Sequence, residues 1–78
     1  MTPRLPVLSA RDLLRALDRA GFRVVGRQGS HVRLKGQRNG RTRVCVVPFH
    51  AEVAPGTLKS ILRQAGLTRE DLDLLLGR

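Results

Sequence analysis

The tetrapeptide Gln28-Gly29-Ser30-His31 places one of the chain's two histidines inside its most basic region. From Arg19 to Ala51 the charged residues are Arg19, Arg23, Arg27, Arg33, Lys35, Arg38, Arg41 and Arg43, with no acid among them. Clustered cations attract phosphates, and imidazole is the side chain best suited to move a proton near neutral pH. The combination points to binding of a polyanion, with a proton-transfer group in place to cut it.

Other residues extend or limit that chemistry. Arg33 and Lys35 alternate with His31 along one strand-like segment and are candidate phosphate ligands; Arg27, Arg41 and Arg43 are weaker candidates of the same kind. The Ser30 hydroxyl reads either as a phosphate donor or as a turn hydroxyl. His50, in Pro48-Phe49-His50, reads either as a second acid/base or as part of a turn leading into a helix. Cys45 has no role in this chemistry, which needs no thiol. The carboxylates are Asp12, Asp18, Glu52, Glu70, Asp71 and Asp73. None falls in the basic segment, so a two-metal centre has no ligands there. One cysteine excludes a Cys-cluster zinc site, and no HExxH motif is present. No metal and no cofactor are expected.

Composition bounds the partners. A chain of 78 residues with 41% hydrophobic content is one small folded domain. Its formal charge of +9 calls for a nucleic acid, an acidic protein, or both. No stretch approaches the ~18 apolar residues of a spanning helix, so no membrane role is expected. No signal-peptide run opens the chain, and the lone cysteine suits a reducing compartment; a cytoplasmic location follows. With no Trp or Tyr, stacking platforms for single strands are scarce, which favours backbone and 2′-hydroxyl contacts.

The elements that must position these residues read in order. Residues 1–8, with Pro3 and Pro6, are expected to form a flexible extension, and 9–78 the single domain. Ser9 caps a helix carrying Leu13, Leu17 and Ala20, which Gly21 ends. Phe22 to Arg27 reads as a strand, with a turn at Gln28-Gly29. In Ser30 to Lys35, Val32 and Leu34 face one side and His31, Arg33 and Lys35 the other. Gly36 to Gly40 reads as a hairpin loop. Thr42, Val44 and Val46 read as the apolar side of a third strand, which places Cys45 with Arg41 and Arg43; Pro48 stops it. Pro55 starts a helix burying Leu58, Ile61, Leu62 and Ala65, which Gly66 closes. Thr68 caps a last short helix bearing Leu72, Leu75 and Leu76. Phe22 and Phe49 are expected in the core. Two helices covering one face of a three-stranded antiparallel sheet make a two-layer α+β domain. The other face is then open and carries His31, Arg33 and Lys35.

Two segments resemble a known family. They are Gly29-Ser30-His31 with its basic strand, and Val47-Pro48-Phe49-His50 followed by Pro55-Gly56-Thr57-Leu58-Lys59-Ser60-Ile61-Leu62-Arg63-Gln64-Ala65-Gly66-Leu67. The chain resembles the HicA toxins, small ribonucleases of bacterial and archaeal toxin–antitoxin pairs, over roughly residues 10 to 76. The resemblance implies the α-β-β-β-α layout of double-stranded RNA-binding domains, here with a short extra C-terminal helix. It implies mRNA cleavage by the histidine of the Gly-Ser-His motif, here His31. It also implies a HicB-type antitoxin, through which oligomerisation would occur. The expected function is a metal-independent mRNA interferase, cutting by attack of a ribose 2′-hydroxyl on the adjacent phosphorus. The alternatives are a non-catalytic RNA-binding module using the same face, and an interaction subunit whose basic surface meets an acidic protein.

Overall fold

Leu13, Ala16 and Leu17 recur at helical spacing, and their burial pins the first helix to the rest of the domain. The computed structural model describes residues 7–77. Its elements are α1 (Ala10–Arg19), β1 (Arg23–Gln28), β2 (His31–Arg38), β3 (Arg41–Pro48), α2 (Pro55–Ala65) and α3 (Arg69–Leu75). The layout is α-β-β-β-α-α, the α+β fold expected. No helix of the described residues is long and apolar enough to cross a membrane.

Caps set the helix ends. The Ser9 hydroxyl accepts the Asp12 N–H at 3.0 Å and starts α1. Gly66 ends α2 in the left-handed region, at φ 72°, where a side chain would be strained. Thr68 and Asp71 form a reciprocal capping box on α3: each side chain accepts the other residue's backbone N–H. Asp71 also pairs with Arg38 of β2 at 3.0 Å, which ties α3 to the sheet. The Thr68 hydrogen bonds, with Arg38 adding a smaller effect, hold the Asp71 carboxyl below its ordinary value.

Of the extension expected over residues 1–8, all but the last two lie outside the described residues. Leu8 is a core residue: it is buried and bridges Val53. Leu8 is therefore part of the folded unit, joined to the segment before α2 through Val53.

The sheet is antiparallel in the order β1-β2-β3, and turn chemistry sets its register. Gly29, at φ 58°, is the first of two central turn residues, and Ser30 does not share its positive φ. That is the pattern of a type II′ hairpin turn. It pairs Gln28 with His31. The second hairpin departs from the expected Gly36–Gly40 loop. β2 runs on to Arg38, and only Asn39 and Gly40 turn, at φ 54° and 74°. Positive φ at both central positions marks a type I′ turn, which suits the twist of the flanking strands.

That tight turn reverses the expected phase of β3. It pairs Leu34 with Cys45 and Val32 with Val47. Cys45 and Val47 are buried, whereas Val44 and Thr42 are exposed and Val46 is half-buried. Partners across a ladder share a face, so the core phase of β3 follows from Val32 and Leu34.

α2 packs chiefly on β3, and α1 against α3 and β3. Phe22 lies directly under Gly36, where a Cβ would come within 2.8 Å of the ring. Only glycine leaves room for that packing. Phe22 is in the core as expected, but Phe49 is 39% exposed. Phe49 stacks instead beneath the Arg27 guanidinium, 5.2 Å from ring centroid to carbon.

Candidate nucleic-acid interface

The face of the sheet turned away from the helices carries three rows that cross all three strands, and beyond them the pair Gln37 and Thr42 of β2 and β3. Register places Gln28, His31 and Pro48 in the first, Gly26, Arg33 and Val46 in the second, and Arg23, Lys35 and Val44 in the third. Alternate residues of one strand lie about 7 Å apart, so His31 sits about 14 Å from Lys35 along β2. His31, Arg33, Lys35 and Arg23 are all exposed. No carboxylate lies on any strand. The formal charges on the face are thus all positive, those of Arg23, Arg33 and Lys35, with an apolar component from Val44 and Val46.

Arg23 is a member that the sequence reading misses. A β-bulge between Val24 and Gly26 shifts the register by one residue. Without it, Arg23 would lie opposite Gly36 on the helix side. The bulge turns Arg23 outward beside Lys35 and leaves Phe22 to fill the core under Gly36. No signal in a stretch as evenly β-branched as Arg23-Val24-Val25 marks the bulge, apart from the glycine that follows.

Arg41 and Arg43 do not join this face, contrary to expectation. The reversed phase of β3 pairs Arg43 with Gly36 and Arg41 with Arg38, on the helix side. The Arg43 guanidinium lies against Gly66, at the C-terminal end of α2, where a Cβ would come within 3.0 Å of it. A cation there faces the negative end of the helix dipole. Arg41 is exposed at the sheet's end, beside the Asn39-Gly40 turn.

The remaining candidates cluster at the first hairpin. His31, Gln28, Gly26, Arg27, Arg33 and Val46 line a shallow hollow of about 320 Å³. Arg27 borders it while its charge is held in place: Nε donates to the Gly29 carbonyl at 3.4 Å and the guanidinium covers Phe49. Ser30 is exposed, and its carbonyl accepts the Phe49 N–H, which fastens the turn to the chain leaving β3. The position of His31 is therefore set from both sides, by the turn before it and by Pro48 opposite it. His50 lies elsewhere, in a separate hollow with Ser9, Arg11, Phe49 and Ala51. Its carbonyl accepts the Ala10 N–H at 3.0 Å and so helps to start α1.

The two edges of the sheet differ. The Val46 N–H of β3 donates to the Gln64 side chain of α2 at 3.1 Å, so a helix shields that edge. No residue of β1 is fully buried. Cys45 lies in the core, where burial pushes its thiol up to about 11, so it is not a ready nucleophile. Among the described residues, no three of His, Cys, Asp and Glu come together as a metal-binding group.

A family model described as the HicA toxin of bacterial toxin–antitoxin pairs matches residues 10–67, which span α1 through α2 and include the whole open face. No curated protein shows significant similarity to the chain.

Proposed function

The chain belongs to the HicA toxin family, and from that premise we propose that it is a metal-independent endoribonuclease that acts on mRNA through its open sheet face. The observation that carries this reading is the row arrangement around His31. A histidine held in place by a hairpin turn stands at the end of a strand whose next outward residues are Arg33 and Lys35, with Arg23 beside them. Cations in rows about 7 Å apart suit a phosphate backbone.

The reaction needs two proton transfers. The ribose 2′-hydroxyl gives up a proton as its oxygen attacks the adjacent phosphorus. The bond from phosphorus to the 5′ oxygen then breaks, and that oxygen takes a proton, leaving a cyclic phosphate and a 5′-hydroxyl. His31 performs one transfer as general acid or base. Solvent serves the other, since His50 lines a different hollow. Arg33 and Lys35 hold the phosphate and offset the charge that builds on its oxygens.

As the toxin of a toxin–antitoxin pair, the chain has a partner. We assign it an acidic, HicB-type antitoxin that covers the His31 face and through which the complex oligomerises. Opposite charge speeds association, and occupancy of the phosphate-binding surface excludes RNA.

Purified wild type and His31→Ala are compared on RNA, with and without EDTA. Wild type cuts in both conditions, and His31→Ala loses about 10²- to 10⁴-fold of the rate with unchanged circular dichroism. A folded His31→Ala protein that cuts like wild type refutes the assignment. Wild type that binds RNA but never cuts it is a non-catalytic RNA-binding module. Hydrogen exchange along Ser30 to Lys35 tests masking: protection of that strand in the antitoxin complex supports it, and unchanged exchange refutes it.

A further inference from the structure

We propose that the hollow beside His31 is a nucleoside subsite, seating the base next to the cleaved phosphate, and that Gln28 selects that base. The inference deepens the ribonuclease reading and rests on it for the identity of the ligand.

Three features make the hollow more than a dip in a basic surface. First, it exists because a side chain is missing. Gly26 occupies the β1 position of the middle row, opposite Arg33 and in line with Val46. A Cβ built there meets nothing within 4 Å. A residue of any other type would project into the space that the hollow occupies. The bare Gly26 backbone and the half-buried Val46 side chain leave a surface with apolar character, suited to the flat face of a base. Second, its edge carries a group that can read bases. Gln28 pairs with His31 across the hairpin and shares its face. A carboxamide offers two N–H donors and a carbonyl acceptor together, and so can match the edge of a base in a way that a lone cation cannot. Apart from His31, which the reaction employs, it is the uncharged hydrogen-bonding side chain among the residues lining the hollow. Third, the size and placement fit. About 320 Å³ lies at the small end of small-molecule sites. His31 and Arg33 form one wall, so a base seated there keeps its own phosphate beside both.

The division of labour follows. Arg23, Arg33 and Lys35 hold the backbone whatever its sequence, and Gln28 with the Gly26 floor accepts one base of the strand. Gln28 is thus a specificity-determining residue, removed from the bond-breaking step.

The test uses binding, so that it stands apart from cleavage. Four oligoribonucleotide homopolymers with 2′-fluoro sugars lack the attacking hydroxyl and stay intact. Their affinities are measured for wild type, Gln28→Ala, Gln28→Glu and Gly26→Val. Wild type ranks the four bases with a spread of about 5- to 150-fold, the range of one good base contact. Gln28→Ala collapses the ranking, and Gln28→Glu reorders it by replacing the donors with acceptors. Gly26→Val weakens all four oligomers while its melting temperature stays at or above that of wild type. A flat ranking in wild type, a ranking that survives Gln28→Ala, or undiminished binding by a folded Gly26→Val overturns the subsite. The ribonuclease reading fails separately, if wild type leaves ordinary RNA uncut.

Discussion

Replacing Arg33 and Lys35 together by alanine lowers the salt dependence of RNA binding by an amount that the sheet register sets. Each phosphate neutralised by a side chain releases counterions and steepens the plot of log affinity against log salt by about 0.7 for a single strand and 0.9 for a duplex. Arg33 and Lys35 stand on the open face in adjacent rows, exposed. On the proposed function each neutralises one phosphate of the same backbone, so their removal flattens the slope by about 1.4 to 1.8. Between 50 and 200 mM salt, wild type then loses about 7- to 12-fold more affinity than the double variant. Adding Arg23→Ala, which the bulge turns to the same face, removes a further 0.7 to 0.9, roughly one more phosphate. The control is an equal charge change behind the sheet. Arg38 pairs with Asp71 and Arg43 lies against Gly66. Arg38→Gln with Arg43→Gln therefore leaves the slope within experimental error of wild type. Fluorescence anisotropy on one labelled RNA at five or six salt concentrations measures all four proteins. An unchanged slope in the Arg33/Lys35 variant, or an equal drop in the control, would mean that RNA does not lie on this face.

Other expectations concern the scaffold that holds the face. Gly36→Ala forces a Cβ within 2.8 Å of the Phe22 ring and 3.0 Å of its Cα; the overpacking costs about 1–3 kcal/mol, a fall in melting temperature of roughly 4–8 °C per kcal/mol. A calorimetric scan in which Gly36→Ala melts with wild type would contradict the packing. Cys45 resists Ellman's reagent in the native protein at pH 8 and reacts when guanidinium unfolds it, since burial lifts its thiol from 9.0 to about 11. The same raised value makes the stabilising effect of the neutral thiol complete below pH 9.0 and lost as pH climbs toward about 11; Cys45→Ala abolishes that alkaline decline. Asp71 has the opposite sign: its lowered pKa makes its contribution complete above the ordinary value of 3.8 and lost as pH falls through the native one. Thermal melts of Asp71→Asn should show a lower melting temperature at pH 7 and a shallower fall on acidification.

The helices were legible residue by residue. Ser9 and Thr68 are caps by their side-chain oxygens, Gly66 ends a helix because its left-handed φ favours glycine, and Leu58, Ile61, Leu62 and Ala65 share one face by spacing alone. The alternation of Val32 and Leu34 against His31, Arg33 and Lys35 likewise assigns both faces of β2, and with them the core of the candidate site. These are local properties: each depends on groups within one turn or one pleat. β3 offered no such contrast. Val44 and Val46 fit a core as well as Cys45 and Val47 do, so either phase is possible for the isolated strand. The choice came from a turn of only two residues, Asn39-Gly40, which fixes which residues of β2 and β3 stand opposite each other. One step of register moves a whole strand's side chains to the other face, and so Arg41 and Arg43 left the open face. The bulge before Gly26 acted in the same way on β1 and brought Arg23 into it. Membership of this face was decided by pairing between strands, because a side chain's direction in a sheet follows from its partner across the ladder as much as from its own neighbours in the chain.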